Sequence, residues 1–215
     1  MQHSRNKKLL SACFGAILFL SAFAARSAEL RDIAIELVND RYHLTSETYL
    51  DVGRESLYAV LADFELFKQF TSAIVESRNI DVDDLGRPGF FARMEGCVLF
   101  FCKSFVREGY VLLTPAAEIV AVANPEQSDF RFSRERWKLV PEGDGTIMIY
   151  DFELEPAFWV PPVIGPLYIQ HALRGGAERA VDRIEALAFS EELRRKARKT
   201  VDSRSLHNYR PRGAL

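Results

Sequence analysis

Histidine occurs four times in this chain and cysteine three times, among 215 residues. Beyond the N-terminal segment only His43, His171 and His207 remain. They are far apart and show neither HExxH nor any other metal-ligand spacing, so no metal centre is predicted. GxSxG, the P-loop and the dinucleotide fingerprint are also missing, which removes the common nucleophile-elbow, nucleotide-triphosphate and Rossmann chemistries. No cofactor is expected, and catalytic signatures are thin. There is no repeat of fixed period and no low-complexity stretch.

A surplus of positive charge is lacking as well. The chain has 28 basic and 30 acidic residues, and residues 1–28 hold four of the basic ones and no acid. Without that segment 24 basic residues face 30 acidic ones. An acidic chain of this kind is a poor partner for phosphate backbones, so no nucleic acid is expected. Residues 190–215 are net +5 and residues 29–189 net −11. The basic end suits a solvated helix terminus, with an anionic lipid surface as the alternative.

The N-terminus carries the first positive signal. Arg5, Lys7 and Lys8 precede an uncharged run over residues 9–25 (LLSACFGAILFLSAFAA), and small residues follow. This order predicts a secretory signal peptide over residues 1–28 and an exported, periplasmic location. Cleavage is expected between Ala24 and Ala28, with Ala22/Ala24 and Ala25/Ser27 as the small-residue pairs that a peptidase reads. Arg26 argues against a cut after Ala28. A membrane anchor is the alternative, but the run is shorter than the roughly 20 residues that span a bilayer. Lipidation at Cys13 fits by residue type, yet Cys13 lies ahead of most of the apolar run.

Sixteen Phe, seven Tyr and two Trp give the remaining residues ample material for a core. An N-terminal extension over residues 29–41 leads into one domain over residues 42–200. YHLTSETYLDV alternates as a strand, and RESLYAVLADFELFKQF has the three-and-four spacing of one or two short helices. Strands follow over residues 73–83, 90–96, 103–113, 118–123, 129–140 and 146–155, separated by LGRPG, TPAA, NPEQS and PEGDG turn chemistry. Beyond Pro161-Pro162 a long helix begins, with Ile169, Ala172, Leu173, Ala180, Ile184, Leu187 and Ala188 on one face. The predicted class is α+β: a curved antiparallel sheet of about seven strands around a long C-terminal helix. SEELRRKARKT can continue that helix, and residues 201–215 are expected to be a disordered basic tail from about Asp202.

Periodicity also suggests a ligand cavity. In residues 146–154 Met148, Tyr150, Phe152 and Leu154 share one side and Asp151 and Glu153 the other, so the apolar side faces inward. The neighbouring strand mixes Phe130, Phe132 and Trp137 with Arg131, Arg134 and Arg136, and its faces are not separable by alternation. Gly175-Gly176 inside the last helix either thins it over a cavity or lets it pack closely on the sheet. Cavity candidates are Met94, Tyr110, Trp137, Met148, Tyr150, Phe152, Tyr168 and His171, with His171 the candidate polar group. Arg93, Glu95, Arg136 and Asp151 offer material for a buried acid/base pair, although charged strand residues usually face water.

Several local sequences carry a family likeness. DFELFKQF after the first helix, Trp137 to Pro141 as WKLVP, Gly145-Thr146 opening a strand that ends in Glu155-Pro156, and Phe158, Val160 and Pro161 ahead of the last helix are its marks. From about residue 42 to 189 the chain resembles the START-related (SRPBCC) superfamily, with its polyketide cyclase/dehydrase and Coq10-type members. The resemblance implies a helix-grip fold and a lipid, sterol, quinone or polyketide held between sheet and helix, enzymes being a minority. A signal peptide departs from the cytoplasmic and mitochondrial members. The expected function is an exported binding or carrier protein for a lipid-like or polycyclic apolar ligand. A cyclase- or dehydratase-like enzyme using His171 or a carboxylate, and an exported protein-interaction module, are the alternatives.

Two cysteines remain beyond residue 28, Cys97 and Cys102, in an oxidising compartment. Along one extended strand they would lie roughly 16 Å apart, beyond disulfide reach. A disulfide therefore requires residues 98–101 to turn, making Val98, Leu99, Phe100 and Phe101 an apolar hairpin tip for a membrane or protein contact. An uninterrupted buried strand with two inert thiols is the alternative.

Overall fold

The computed structural model describes residues 28–98, 101–162 and 164–208, without the side chains of 97, 98, 101, 164 and 201–208. Residues 1–27 of the expected signal segment, the centre of the apolar tip and residues 209–215 lie outside the described residues.

Eight strands form one antiparallel sheet. They are β1 (Glu29–Val38), β2 (Arg41–Leu50), β3 (Ile74–Ile80), β4 (Gly89–Val98), β5 (Phe101–Thr114), β6 (Glu118–Ala123), β7 (Phe130–Glu142) and β8 (Gly145–Pro156). The spatial order is β1-β2-β8-β7-β6-β5-β4-β3. Residues 29–38, expected as part of an extension, form an edge strand that brings the sheet to eight. Asn39 and Asp40 both take positive φ, 50° and 63°, the conformation of a two-residue hairpin turn that matches the twist of its strands. The chain then crosses beneath the sheet through α1 (Arg54–Leu61), a 3-10 turn (Phe64–Leu66) and α2 (Phe67–Phe70), reaching the far edge at β3. From there it meanders back, strand by strand, until β8 pairs with β2.

The helix α3 (Ile164–Asn208) closes the concave side, lying against β1, β2, α1 and α2. Its backbone passes Asp202, where the sequence suggests that order ends, and continues to Asn208. It also passes Gly175 and Gly176 without a break. A Cβ on Gly176 would meet nothing within 4 Å, and one on Gly175 would meet only the Arg179 side chain. Neither glycine is therefore required by close packing on the sheet. Gly109 is different: a Cβ there would lie 2.0 Å from the carbonyl oxygen of Val122, so the β5–β6 pairing requires its absence.

The core has two parts. Under α1 and α2, Phe64 stacks on Phe67 with centroids 4.1 Å apart, and Trp137 meets Phe67 edge-on at 5.6 Å. Leu50, Leu57, Leu61 and Ile119 complete this larger cluster, each fully buried. Toward the start of α3, Tyr42, Leu44, Phe130, Phe152 and Leu154 form a smaller one, with Ile169, Leu173 and Ala177 packed above it.

Candidate functional site

Strand parity determines which side chains meet beneath α3. On β8 Met148, Tyr150, Phe152 and Leu154 point inward, and register sets Phe152 beside Glu135 and Tyr150 beside Trp137 on β7. Glu135 therefore lies on the inner face between buried Ser133 and Trp137. Arg107 comes inward from β5, where it pairs with buried Ala92 of β4.

These three polar residues connect. Arg107 Nη1 donates to Glu135 Oε2 at 2.8 Å, and the Tyr150 hydroxyl donates to Glu135 Oε1 at 2.6 Å. The Arg107 and Glu135 side chains are 5% and 10% exposed. The guanidinium carbon lies 5.0 Å from the Phe152 ring centroid and 5.6 Å from that of Phe90. A hydrogen-bonded charge pair thus stands between the two apolar clusters. Burial first, and then the Glu135 carboxylate, hold the Tyr150 pKa well above the usual tyrosine value, which keeps its hydroxyl a donor. Among the described residues Arg107 Nε and Nη2 and Ser133 Oγ have no hydrogen-bond partner, and Thr48 Oγ1 on β2 has none either. A buried orphan of this kind costs about 1–3 kcal/mol.

The candidates divide across this geometry. Trp137, Met148 and Phe152 are buried on the inner face, Met94 is half-buried at the smaller cluster, and Tyr150 is part of the polar group. Tyr168 is half-buried on α3. His171 is not an interior group: it is exposed, because Ile169, Leu173 and Ala177 face the sheet and residue 171 falls on the opposite side of the helix. Tyr110 is not interior either. Its neighbour Val111 takes the buried side, and Tyr110 carries the Arg87 guanidinium 3.5 Å above its ring on the outer face. An open polar groove of about 520 Å³ lies there, lined by Asp83, Arg87, Glu108 and Tyr110 among others.

The suggested acid/base residues also face outward. Arg136 Nε donates to Asp151 Oδ2 at 2.8 Å across the β7–β8 register, and Arg93 contacts Glu76 and Glu95. They are solvent-side ion pairs. The interior pair consists instead of Arg107 and Glu135, 28 positions apart.

Cys97 and Cys102 are direct partners in the β4–β5 hairpin, and Val98 pairs with Phe101. Opposed residues of an antiparallel pair have Cα atoms about 4.5–5.5 Å apart, within disulfide reach.

Solved structures share this architecture at low identity. Human STARD10 is 15% identical with a TM-score of 0.54, over 76% of this chain and 73% of its own. The STAR-related lipid transfer protein from Xanthomonas axonopodis is 15% identical with a TM-score of 0.52, over 77% and 99%. The Zhui aromatase/cyclase from Streptomyces sp. R1128 is 11% identical with a TM-score of 0.52, over 69% and 97%. At such identities they show the fold alone. No curated protein matches the chain in sequence. Residues 41–188 match the profile described as polyketide cyclase / dehydrase and lipid transport. The chain belongs to that family and has the helix-grip architecture of START-like domains.

Proposed function

We propose that this protein is an exported binding or carrier protein for a lipid-like or polycyclic ligand, held between sheet and α3 with its oxygen-bearing end on Arg107. The orphaned Arg107 donors carry this reading. Two buried N–H groups, beside a carboxylate already bonded to the same guanidinium, would donate to a ligand oxygen at little further desolvation cost. Because Arg107 and Glu135 already balance in charge, a neutral carbonyl or hydroxyl suits the site. A carboxylate or phosphate would bury an uncompensated charge. The apolar body of a sterol, quinone or other lipid would lie against Phe105, Phe152 and Phe158.

Export rests on the charged, apolar and small-residue order of residues 1–28. In an oxidising compartment Cys97 and Cys102 would form a disulfide, holding Val98, Leu99, Phe100 and Phe101 at a tip for membrane or protein contact. A cyclase or dehydratase is the second reading. Its supporting observation is the buried Glu135–Tyr150 contact, since the alternative proton carrier, His171, faces solvent.

Native mass spectrometry before and after solvent extraction tests the proposal. The expected result is an apolar molecule with a hydroxyl or carbonyl, and reduced retention in Arg107→Met/Glu135→Gln. No recovered ligand, and no binding from a mixture of phospholipids, sterols and quinones, would overturn it.

A further inference from the structure

The backbone of Ala28 is held by a carboxylate. The backbone N–H of Ala28 donates to Glu185 Oε2 at 2.8 Å, and the N–H of Asp51 donates to Glu185 Oε1 at 3.0 Å. Ala28 packs against the larger apolar cluster, and Glu185 is half-buried on α3 beside buried Ile184. One side chain thus joins residue 28, the entry to α1 and the long helix.

Glu185 has acceptors for both amides but no cation. Among the described residues no Lys or Arg forms an ion pair with it, although two other α3 carboxylates, Glu191 and Glu192, do have such partners. The two Glu185 oxygens each accept one amide, and neither amide neutralises the carboxylate charge. A half-buried carboxylate at this spot is better matched to a positively charged nitrogen.

The sequence supplies one. Ala25 and Ser27 are small residues at the two positions that a signal peptidase reads for a cut after Ser27. We propose that the chain is cleaved between Ser27 and Ala28 and that the freed α-ammonium of Ala28 becomes the ion-pair partner of Glu185. In the hydrolysis the Ser27–Ala28 peptide bond breaks, water supplies the hydroxyl of the new Ser27 carboxyl group, and its hydrogen goes to the Ala28 nitrogen. That nitrogen takes one further proton from solvent at neutral pH. A cut after Ala24 would leave the Ala28 nitrogen an amide and Glu185 without a cation. The inference rests on the export reading above and extends it to the exact bond and to the fate of the new terminus.

Secretion of the full-length chain from a bacterial host, followed by N-terminal sequencing and intact mass, tests the site. The expected mature protein begins at Ala28. Glu185→Gln is expected to lower its Tm by about 2–4 °C. In Ser27→Leu, which blocks this cut and shifts cleavage to Ala24, the same Glu185→Gln change is expected to lower Tm by clearly less, because only an amide hydrogen bond and no ion pair is then lost. Wild-type protein beginning at Ala25 would overturn the assignment while leaving export standing. Uncut protein retained in the cytoplasm would overturn the export reading and this inference with it. An equal Glu185→Gln effect in both forms would overturn the ion pair.

Discussion

Glu192 of α3 accepts the backbone N–H of Gly53, the N-cap of α1, at 2.9 Å. The last helix thereby holds the first turn of the first helix through a carboxylate placed at its positive end. That hydrogen bond first, and then Lys196, lower the Glu192 pKa. A lowered carboxylate pKa contributes stability that is present above the unfolded-state value and is lost as pH falls through the folded-state value. Glu192→Gln is expected to lower Tm at pH 7 by about 2–4 °C, for a loss of about 1 kcal/mol. It should also flatten the Tm profile below about pH 4.5, the ordinary glutamate range. Thermal denaturation between pH 7 and pH 3 is the measurement, and identical acid slopes for the two proteins would count against the contact.

Arg107→Met leaves the Glu135 carboxylate buried without its cation. The expected cost is about 3–5 kcal/mol, the usual penalty for breaking a buried pair. Arg107→Met/Glu135→Gln removes both charges and leaves an oxygen to accept from Tyr150, so it should recover most of that loss. Urea denaturation of the single and double variants measures the difference. If the double variant is no more stable than the single one, the pair is not a coupled unit.

Tyr150 should ionise far later than an ordinary tyrosine. Spectrophotometric titration of Tyr150→Phe is therefore expected to match the wild type in the range near pH 10. A lost tyrosinate step in that range would show that the hydroxyl is not buried against Glu135.

Cys97 and Cys102 should yield no free thiol when the exported protein is denatured without reduction. Replacing both by serine is expected to cost about 2 kcal/mol, as for a loop of roughly six residues. Two titratable thiols in the exported protein would refute the bond.

Much of the sheet was legible because a single parity runs through β2 and β8. Tyr42, Leu44, Leu50, Met148, Phe152 and Leu154 all sit where alternation puts them. The strand β7 was unreadable for a physical reason: its register slips between Phe130 and Phe132. Phe130 is buried, whereas Phe132 turns to the outer face beneath the Arg41 guanidinium, 3.8 Å from its centroid. Alternation assumes no bulge and therefore gives the two phenylalanines the same face. The edge strand β1 left a weaker signal, Ile33, Ile35 and Leu37 before Asn39-Asp40, diluted by its exposed charges. Glu135 shares parity with Trp137 and Leu139, but a strand glutamate reads as solvent-facing until its partner is known. That partner arrives through the β5–β6–β7 meander, which no local pattern encodes. His171 faces solvent because a helix turns about 100° per residue, and two steps from Ile169 lead away from the sheet.

The pairing of β2 with β8 sets Thr48 against Met148, one hundred positions later. Everything between them must be synthesised before the sheet can close, and contacts this far apart in sequence slow folding through the loop entropy they must overcome. A growing chain that lacks β8 has no native seam to seal. If the chain is exported as proposed, it would reach a translocation channel still extensible, as thread rather than as a folded body.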